Sequence, residues 1–441
     1  MSARSILRAA GLALLILSCA GPVLAQRPGP LYGVEEYNAF VDTTRPTEPN
    51  EKLAATDAFL KAYPNSVLRA FVLPEQAKVL YQLKRYDKAM EAIEGLFQMN
   101  REQVNALYKQ SQYNELQIES AYYYNYLLYA HSYSALLGTN GARAQALTDS
   151  AIKRVNEGLE LHQRLYGQVT PPADAAQRQQ FEKTKAQEES TFRSLLADAT
   201  WRKKDYPAAS KEYASLVKTS PNDAVLNYRL GLSYLLQQPP VWESGLWHVA
   251  RAVALNISKS DEVKEFLRKN VSAYQQVVPE CSGNQVDDLI ALAAQSPEPP
   301  AGWKLVSSEQ VAAVRNDLNL KRIFDDLKAG GEAEHIIWLA SCGAELPEIE
   351  AEVVEVSQNA GNVVTLGVAV TEESATAGKA DMVVKVIAPP EAKNIKTGDI
   401  VHITGTLRSY QKDPMFQLVL GDGRIKPEDI PKTRGRSGAG R

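Results

Sequence analysis

The feature that most constrains the fold of this sequence is a self-similarity with a period of 34 residues, by which Ala197 recurs as Gly231. An upstream copy matches the same pattern, because Tyr86–Ala89 corresponds to Tyr206–Ala209. Repeats of this length are helix pairs, and each pair buries its apolar surface only by stacking on its neighbours. The period therefore predicts an array of helix pairs in the first half of the chain.

The residue types at matching positions explain how the helices of a repeat pack. Small residues at Ala77, Ala197 and Gly231 let the first helix approach the second, and Ala89 and Ala209 do the same from the second helix. Tyrosines fill the wider gap at the turn, and a proline ends the second helix. This pattern resembles the tetratricopeptide repeat, and the structural positions it implies are Ala77, Tyr86, Ala89, Ala197, Tyr206, Ala209, Tyr213, Pro221, Gly231 and Tyr234.

The sequence predicts a multi-domain α + β protein, with an N-terminal α-α superhelix at residues 33–256. Residues 257–340 read as capping and linker helices, including one helix from Glu309 to Lys328. The apolar period then changes to two, which is typical of strands. Five are predicted, at Ile349–Val356, Val363–Val370, Met382–Ile387, Ile400–Leu407 and Phe416–Leu420.

The β-region at residues 347–425 resembles a small OB-like five-stranded barrel. The resemblance rests on five short strands and on Gly398-Asp399 leading into a β-branched strand. Residues 426–441 form a basic segment that is predicted to be a disordered tail, with Lys432, Arg434 and Arg436 among its cations.

Residues 1–25 have the pattern of an export signal. Arg4 and Arg8 precede an apolar run, and Val23–Ala25 offers a cleavage site. The run is too short to span a bilayer, and charged residues interrupt every later apolar stretch. We therefore expect an exported protein, periplasmic or associated with the outer membrane of a Gram-negative envelope. An alternative is lipidation of Cys19, which would anchor the chain to a membrane.

The two cysteines after the leader are Cys281 and Cys342. In an oxidising compartment a lone pair of this kind is a disulfide candidate. The alternative is two buried thiols. No CxxC spacing indicates redox or zinc chemistry.

Tyr122, Tyr126, Tyr129 and Tyr133 share one face of a predicted helix, since they follow at i, i+4, i+7 and i+11. Such a stripe either lines a groove for a peptide or a sugar chain, or packs inside the helical array. Exposed tyrosines would support the groove, and buried tyrosines would count against it.

Several classes of function find little support in the sequence. The net charge of −3 argues against a general nucleic-acid binder. No nucleotide-binding or hydrolase motif occurs, and the five histidines are scattered, so we expect no catalytic residues, metal or cofactor. A nucleophile pair of Cys342 and His335 is the only enzymatic candidate, and no acid or oxyanion motif accompanies it.

The whole chain after the leader resembles exported bacterial tetratricopeptide proteins with a C-terminal β-module. That resemblance implies a non-catalytic scaffold of the cell envelope whose partner is an envelope protein or a peptide. The alternative is a module that binds an oligosaccharide, such as a cell-wall glycan, or a peptide through the tyrosine stripe or the barrel.

Overall fold

A computed structural model of the chain describes residues 31–358, 363–387, 392 and 394–431. The predicted leader, the alternative lipidation site Cys19, and tail residues 432–441 lie outside this part of the chain. Within it, no helix is both long enough and apolar enough to cross a membrane.

The chain divides into two compact units. One comprises Met1–Leu147 and Glu157–Phe181, and the other comprises Thr148–Asn156 and Glu182–Arg441. Helices α8 (Thr148–Gln168) and α9 (Ala175–Arg202) each contribute residues to both units. The first unit also contains α1 (Val34–Thr44), α2 (Pro49–Ala62), α3 (Arg69–Gln82), α4 (Tyr86–Phe97), α5 (Arg101–Gln110), α6 (Glu115–Thr139) and α7 (Gly141–Ala146).

Helices α3 and α4 of the first unit form the upstream copy of the repeat. Ala77 on α3 and Ala89 on α4 are both completely buried. Tyr86 is the first residue of α4, and its ring meets the ring of Tyr81 edge-on at 5.4 Å. Small side chains between the helices and an aromatic pair at the turn are what the repeat pattern predicts.

The second unit is predominantly helical before its barrel. Its further helices are α10 (Tyr206–Thr219), α11 (Ala224–Leu235), α12 (Trp242–Ala254), α13 (Ser260–Gln275), α14 (Gly283–Gln295), α15 (Ser308–Arg315), α16 (Leu320–Ala329) and α17 (Gly331–Ser341). The predicted single helix from Glu309 to Lys328 is wrong, because the chain breaks between α15 and α16. Asn319 starts the new helix by accepting a hydrogen bond from the backbone N–H of Arg322 at 2.9 Å.

Helices α11 and α12 approach each other closely at Gly231 and Gly245. A Cβ built on Gly231 would lie 2.8 Å from the carbonyl oxygen of Gly245 and 2.7 Å from a methyl carbon of Val249. On the neighbouring pair, Ala197 of α9 and Ala209 of α10 are completely buried. Glycine at 231 thus permits a helix approach that alanine would block.

We expect the substitution Ala209→Trp to destabilise the second unit by about 1–3 kcal/mol, because a completely buried alanine leaves no room for an indole ring. Urea denaturation of the full chain would measure the loss. Lys218→Trp on the exposed face of the same helix is the matched control. Equal stability of both variants would contradict the position of Ala209 between helices.

A closed five-stranded barrel follows the helices, as the sequence predicts. Its strands are β1 (Glu345–Gln358), β2 (Val363–Ala369), β3 (Met382–Ile387), β4 (Ile400–Gln411) and β5 (Gln417–Ile425), with a short helix α18 (Glu372–Ala377) after β2. The strand order is β1-β2-β3-β5-β4, and pairing of β4 with β1 closes the barrel. Strands β3 and β5 are parallel, and the other neighbouring strands are antiparallel. Alternate residues of β4, such as Val401, Ile403 and Leu407, are completely buried, which explains the period of two.

The barrel shares its hydrophobic core with two of the preceding helices. Phe324 and Leu327 from α16 and Trp338 from α17 belong to the same buried cluster as the strand residues Leu407 and Leu418. At the other end, residues 427–429, which were predicted to belong to the tail, form a turn against β4. There the carboxylate of Asp429 accepts the backbone N–H of His402 at 2.7 Å.

Candidate functional site

An exposed apolar stripe runs along helix α11 of the second unit. Its positions are Val225, Arg229, Leu232 and Leu236, which follow at i, i+4, i+7 and i+11 and therefore share one face. Val225 is 57% exposed and Leu236, at the C-terminal cap, is 44% exposed. Apolar side chains left in water at helical spacing are a candidate contact surface for another molecule.

The opposite face of α11 is buried, which fixes the direction of the stripe. Gly231 packs against α12, Leu230 lies in a buried cluster with Ala209 and Tyr213 of α10, and Asn227 is completely buried at the helix start. The Asn227 amide donates to the carbonyl oxygen of Pro221 at 3.1 Å and to that of Asp223 at 2.9 Å. Pro221 thus lies just beyond the end of α10, where the repeat pattern places it.

The one charged residue of the stripe, Arg229, is paired with a carboxylate of a neighbouring helix. The Arg229 guanidinium lies 3.7 Å from the carboxylate of Asp198 on α9 and 6.0 Å from the ring centre of Trp201. The same carboxylate accepts the hydroxyl of Tyr213 at 2.6 Å. Burial, together with this carboxylate, raises the pKa of Tyr213. Because the Asp198–Arg229 pair is half-exposed, it contributes little stability, and it places a carboxylate beside the charge of Arg229.

Aromatic rings extend the apolar surface from α11 toward α13. The rings of Tyr228 and Phe266 meet at 6.5 Å, and those of Trp242 and Tyr274 meet at 5.9 Å. All four side chains are only partly buried. Rings of this kind provide large contact areas at a low cost in side-chain entropy.

The remaining tyrosines of the repeat pattern pack at helix turns. Tyr206 begins α10 and meets Trp201 edge-on at 5.1 Å. Tyr234 on α11 stacks on the imidazole of His248 at 6.2 Å. Both contacts join the first helix of a pair to the second, which is a structural role.

The tyrosine stripe of the first unit is buried. Tyr129 and Tyr133 have 1% and 0% of their surface exposed, and Tyr122 and Tyr126 are also buried. The Tyr126 hydroxyl donates to the Glu157 carboxylate at 3.0 Å. Burial of all four rings counts against a ligand groove at this place and indicates core packing.

Cys281 and Cys342 form a disulfide, and their Cα atoms lie 5.7 Å apart, within the usual range for such a bond. Cys342 therefore carries no free thiol beside His335, whose imidazole instead lies 3.5 Å from the Asp288 carboxylate. Within the described ranges, no group of three His, Cys, Asp or Glu side chains could hold a metal ion.

The barrel residues Tyr410 and Phe416 pack against helices α16 and α17. Tyr410 packs on Trp338 at 5.0 Å, and Phe416 packs on Phe324 at 5.4 Å. The Glu334 carboxylate accepts the Tyr410 hydroxyl at 2.6 Å, and the Lys412 ammonium lies 2.7 Å from the same oxygen. Burial raises the pKa of Glu334, but these two partners outweigh it and hold the pKa below its usual value.

Sequence reasoning missed the stripe on α11. No role was predicted for its residues, because apolar positions at helical spacing are usually buried. The available signal was the small residue Gly231, which marks the side of α11 that faces α12. Val225, Leu232 and Leu236 lie on a different face of α11 from Gly231.

Burial of His248 predicts an acid-sensitive repeat. Burial lowers its pKa to about 4, while its Nδ1 lies 3.0 Å from the Asn227 side-chain oxygen. Below pH 6.5 the unfolded chain takes up this proton more readily than the folded chain does. Stability is therefore lost as pH falls from about 6.5 toward 4. In His248→Gln we expect the acid-induced loss in the free energy of unfolding to be smaller by about 2 kcal/mol.

Urea denaturation of both proteins at pH 7 and pH 4.5 would measure that difference. The same pH dependence in wild type and His248→Gln would assign the acid sensitivity to other groups.

Comparison with known proteins gives only distant matches. No family model matches the chain, and no curated protein matches it. The C-terminal part of a TPR repeat-containing protein from Cytophaga hutchinsonii aligns over 60% of this chain and 92% of its own, at 13% identity and a TM-score of 0.23. The TPR2AB domain of yeast Sti1, in its complex with pHSP90, aligns over 59% and 98% at 13% identity and a TM-score of 0.17. These TM-scores are too low to assign a family.

Proposed function

We propose that this protein is a non-catalytic interaction scaffold built on tetratricopeptide-like helix pairs. The observation that carries the proposal is the exposed stripe on α11. Its partner surface would be a protein or peptide that presents apolar side chains, because three of the four stripe positions are apolar and Arg229 is paired with Asp198. Helical repeat arrays typically use such continuous faces to hold extended partners.

The location and the β-module belong to the same proposal. The leader pattern at residues 1–25 supports export to the cell envelope, with anchoring only if Cys19 is lipidated. The strand order with a parallel β3–β5 pair supports an OB-like barrel. We do not propose a glycan site, because the tyrosine stripe is buried and the barrel aromatics pack on α16 and α17.

Selection of peptides from a random library on the purified full chain would test the scaffold. We expect selected peptides to carry apolar anchor residues. We expect Val225→Glu or Leu236→Glu to weaken their binding at least about tenfold, equivalent to ~1.4 kcal/mol. The matched control is Val278→Glu, which changes an equally exposed valine outside α11. Equal affinity in all variants, or no selected peptide, would contradict the proposed surface.

A further inference from the structure

Two of the hydrophobic clusters in the second unit are a helical core and a barrel core. The helical core comprises residues of α12 to α14, including Trp247 and Leu267. The barrel core includes the strands together with α16 and α17. A smaller buried cluster of Val306, Val311, Leu339 and Ala340 forms the joint between them: Val306 follows Leu305 of the helical core, and Val314 and Leu318 pack against both this cluster and the barrel core.

The disulfide lies across this joint. Cys281 belongs to the short turn Pro279–Ser282 between α13 and α14, on the side of the helical core. Cys342 is the C-terminal cap of α17, immediately before the barrel. The bond therefore ties the end of one core to the beginning of the other.

Two polar contacts that cross the joint lie near the same bond. The Trp338 indole N–H donates to the backbone carbonyl of Cys281 at 2.7 Å. The Asn284 amide donates to the Tyr410 hydroxyl at 3.3 Å. Because Asn284 follows Cys281 by three residues, and Trp338 precedes Cys342 by four, both contacts depend on backbone that the disulfide holds in place.

The two cysteines of the bond differ in solvent exposure. Cys281 is only 2% exposed, whereas Cys342 is half-buried. Next to Cys342, the side of Gly343 faces Val278, which is 53% exposed. We therefore expect an external thiol to attack the bond at Cys342, the more exposed of the two residues.

We propose that the Cys281–Cys342 disulfide is a thiol-controlled switch that determines whether the barrel core is held against the helical core. A thiolate of a dithiol reductant attacks the Cys342 sulfur, and Cys281 leaves as a thiolate that takes up a proton. The second thiol of the reductant then attacks the mixed disulfide and releases Cys342. Two cysteine thiols and one oxidised reductant result, and both cores keep their own packing.

Fluorine NMR of the full chain, labelled with 5-fluorotryptophan, would test this switch with dithiothreitol as the dithiol. Trp338 reports on the joint, and Trp247, which is completely buried, reports on the helical core. Each resonance is assigned by replacing its tryptophan with phenylalanine. On reduction we expect the Trp338 resonance to shift and the Trp247 resonance to stay. Amide exchange at residues 338–341 should accelerate at least about tenfold, while β4 and β5 remain protected.

The double variant Cys281→Ser/Cys342→Ser is the control, and it should show the reduced spectrum with or without dithiothreitol. An unshifted Trp338 resonance in protein whose two cysteines titrate as free thiols would overturn the proposal. So would simultaneous changes at Trp338, Trp247 and the strands, because they would mean that the bond only stabilises the whole unit. An oxidised-type spectrum in the double variant would overturn it as well.

Discussion

The substitution Gly231→Ala is expected to lower the free energy of unfolding of the second unit by about 3 kcal/mol. Alanine normally stabilises a helix interior relative to glycine, by up to ~1 kcal/mol. Here the added methyl carbon would lie 2.8 Å from both the Gly245 carbonyl oxygen and the Val249 backbone nitrogen. Backbone atoms cannot move aside as side chains do, so α11 and α12 must separate.

Two glycines provide matched comparisons for this result. A Cβ at Gly245 would approach the Leu235 side chain at 2.6 Å, and that side chain can change its rotamer, so we expect a smaller loss in Gly245→Ala. At Gly138 on α6 nothing lies within 4 Å, and Gly138→Ala should stabilise the chain. Urea denaturation at one pH would rank the three variants. A Gly231→Ala protein as stable as wild type would contradict the close approach of α11 and α12 at this position.

The helix pairs and the barrel were predictable because their sequence signals are local. A 34-residue period places Ala197 and Gly231 at the same position of successive repeats, and steric exclusion then requires small residues there. The period of two in β4 similarly follows from alternating burial of Val401, Ile403 and Leu407. Both patterns depend on neighbours along the chain, so one sequence is enough to detect them.

Contacts between distant segments were not predictable in the same way. The four tyrosines of α6 share one helix face, but the spacing does not say whether that face meets solvent or other helices. Where α16 packs on the barrel, Phe324 contacts Phe416, which is far from it in sequence. A periodic pattern along the chain cannot predict such a contact. For the same reason the stripe on α11 became visible only once the burial of its opposite face was known.

The C-terminal end of helix α14 is contacted by Arg251 of α12. The sequence does not predict this contact, because arginine is usually an exposed residue. Arg251 on α12 is only 6% exposed. Its guanidinium donates to the carbonyl oxygens of Ala293 and Ala294 at 2.6 and 3.0 Å, and to the Asn222 side-chain oxygen at 2.8 Å. The carbonyl end of a helix attracts a cation, so Arg251 serves as a cap supplied by another helix.

Arg251→Met is therefore expected to cost about 3 kcal/mol, because it leaves one buried and two partly buried oxygens without donors while it preserves most of the apolar stem. Arg251→Lys keeps the charge but cannot reach all three oxygens, so it should recover only part of the loss. Urea denaturation of the full chain would compare the three proteins. A methionine variant as stable as wild type would mean that the energy of desolvating the guanidinium equals the gain from its hydrogen bonds. In that case the apolar stem of Arg251, rather than its charge, would hold α12 against the end of α14.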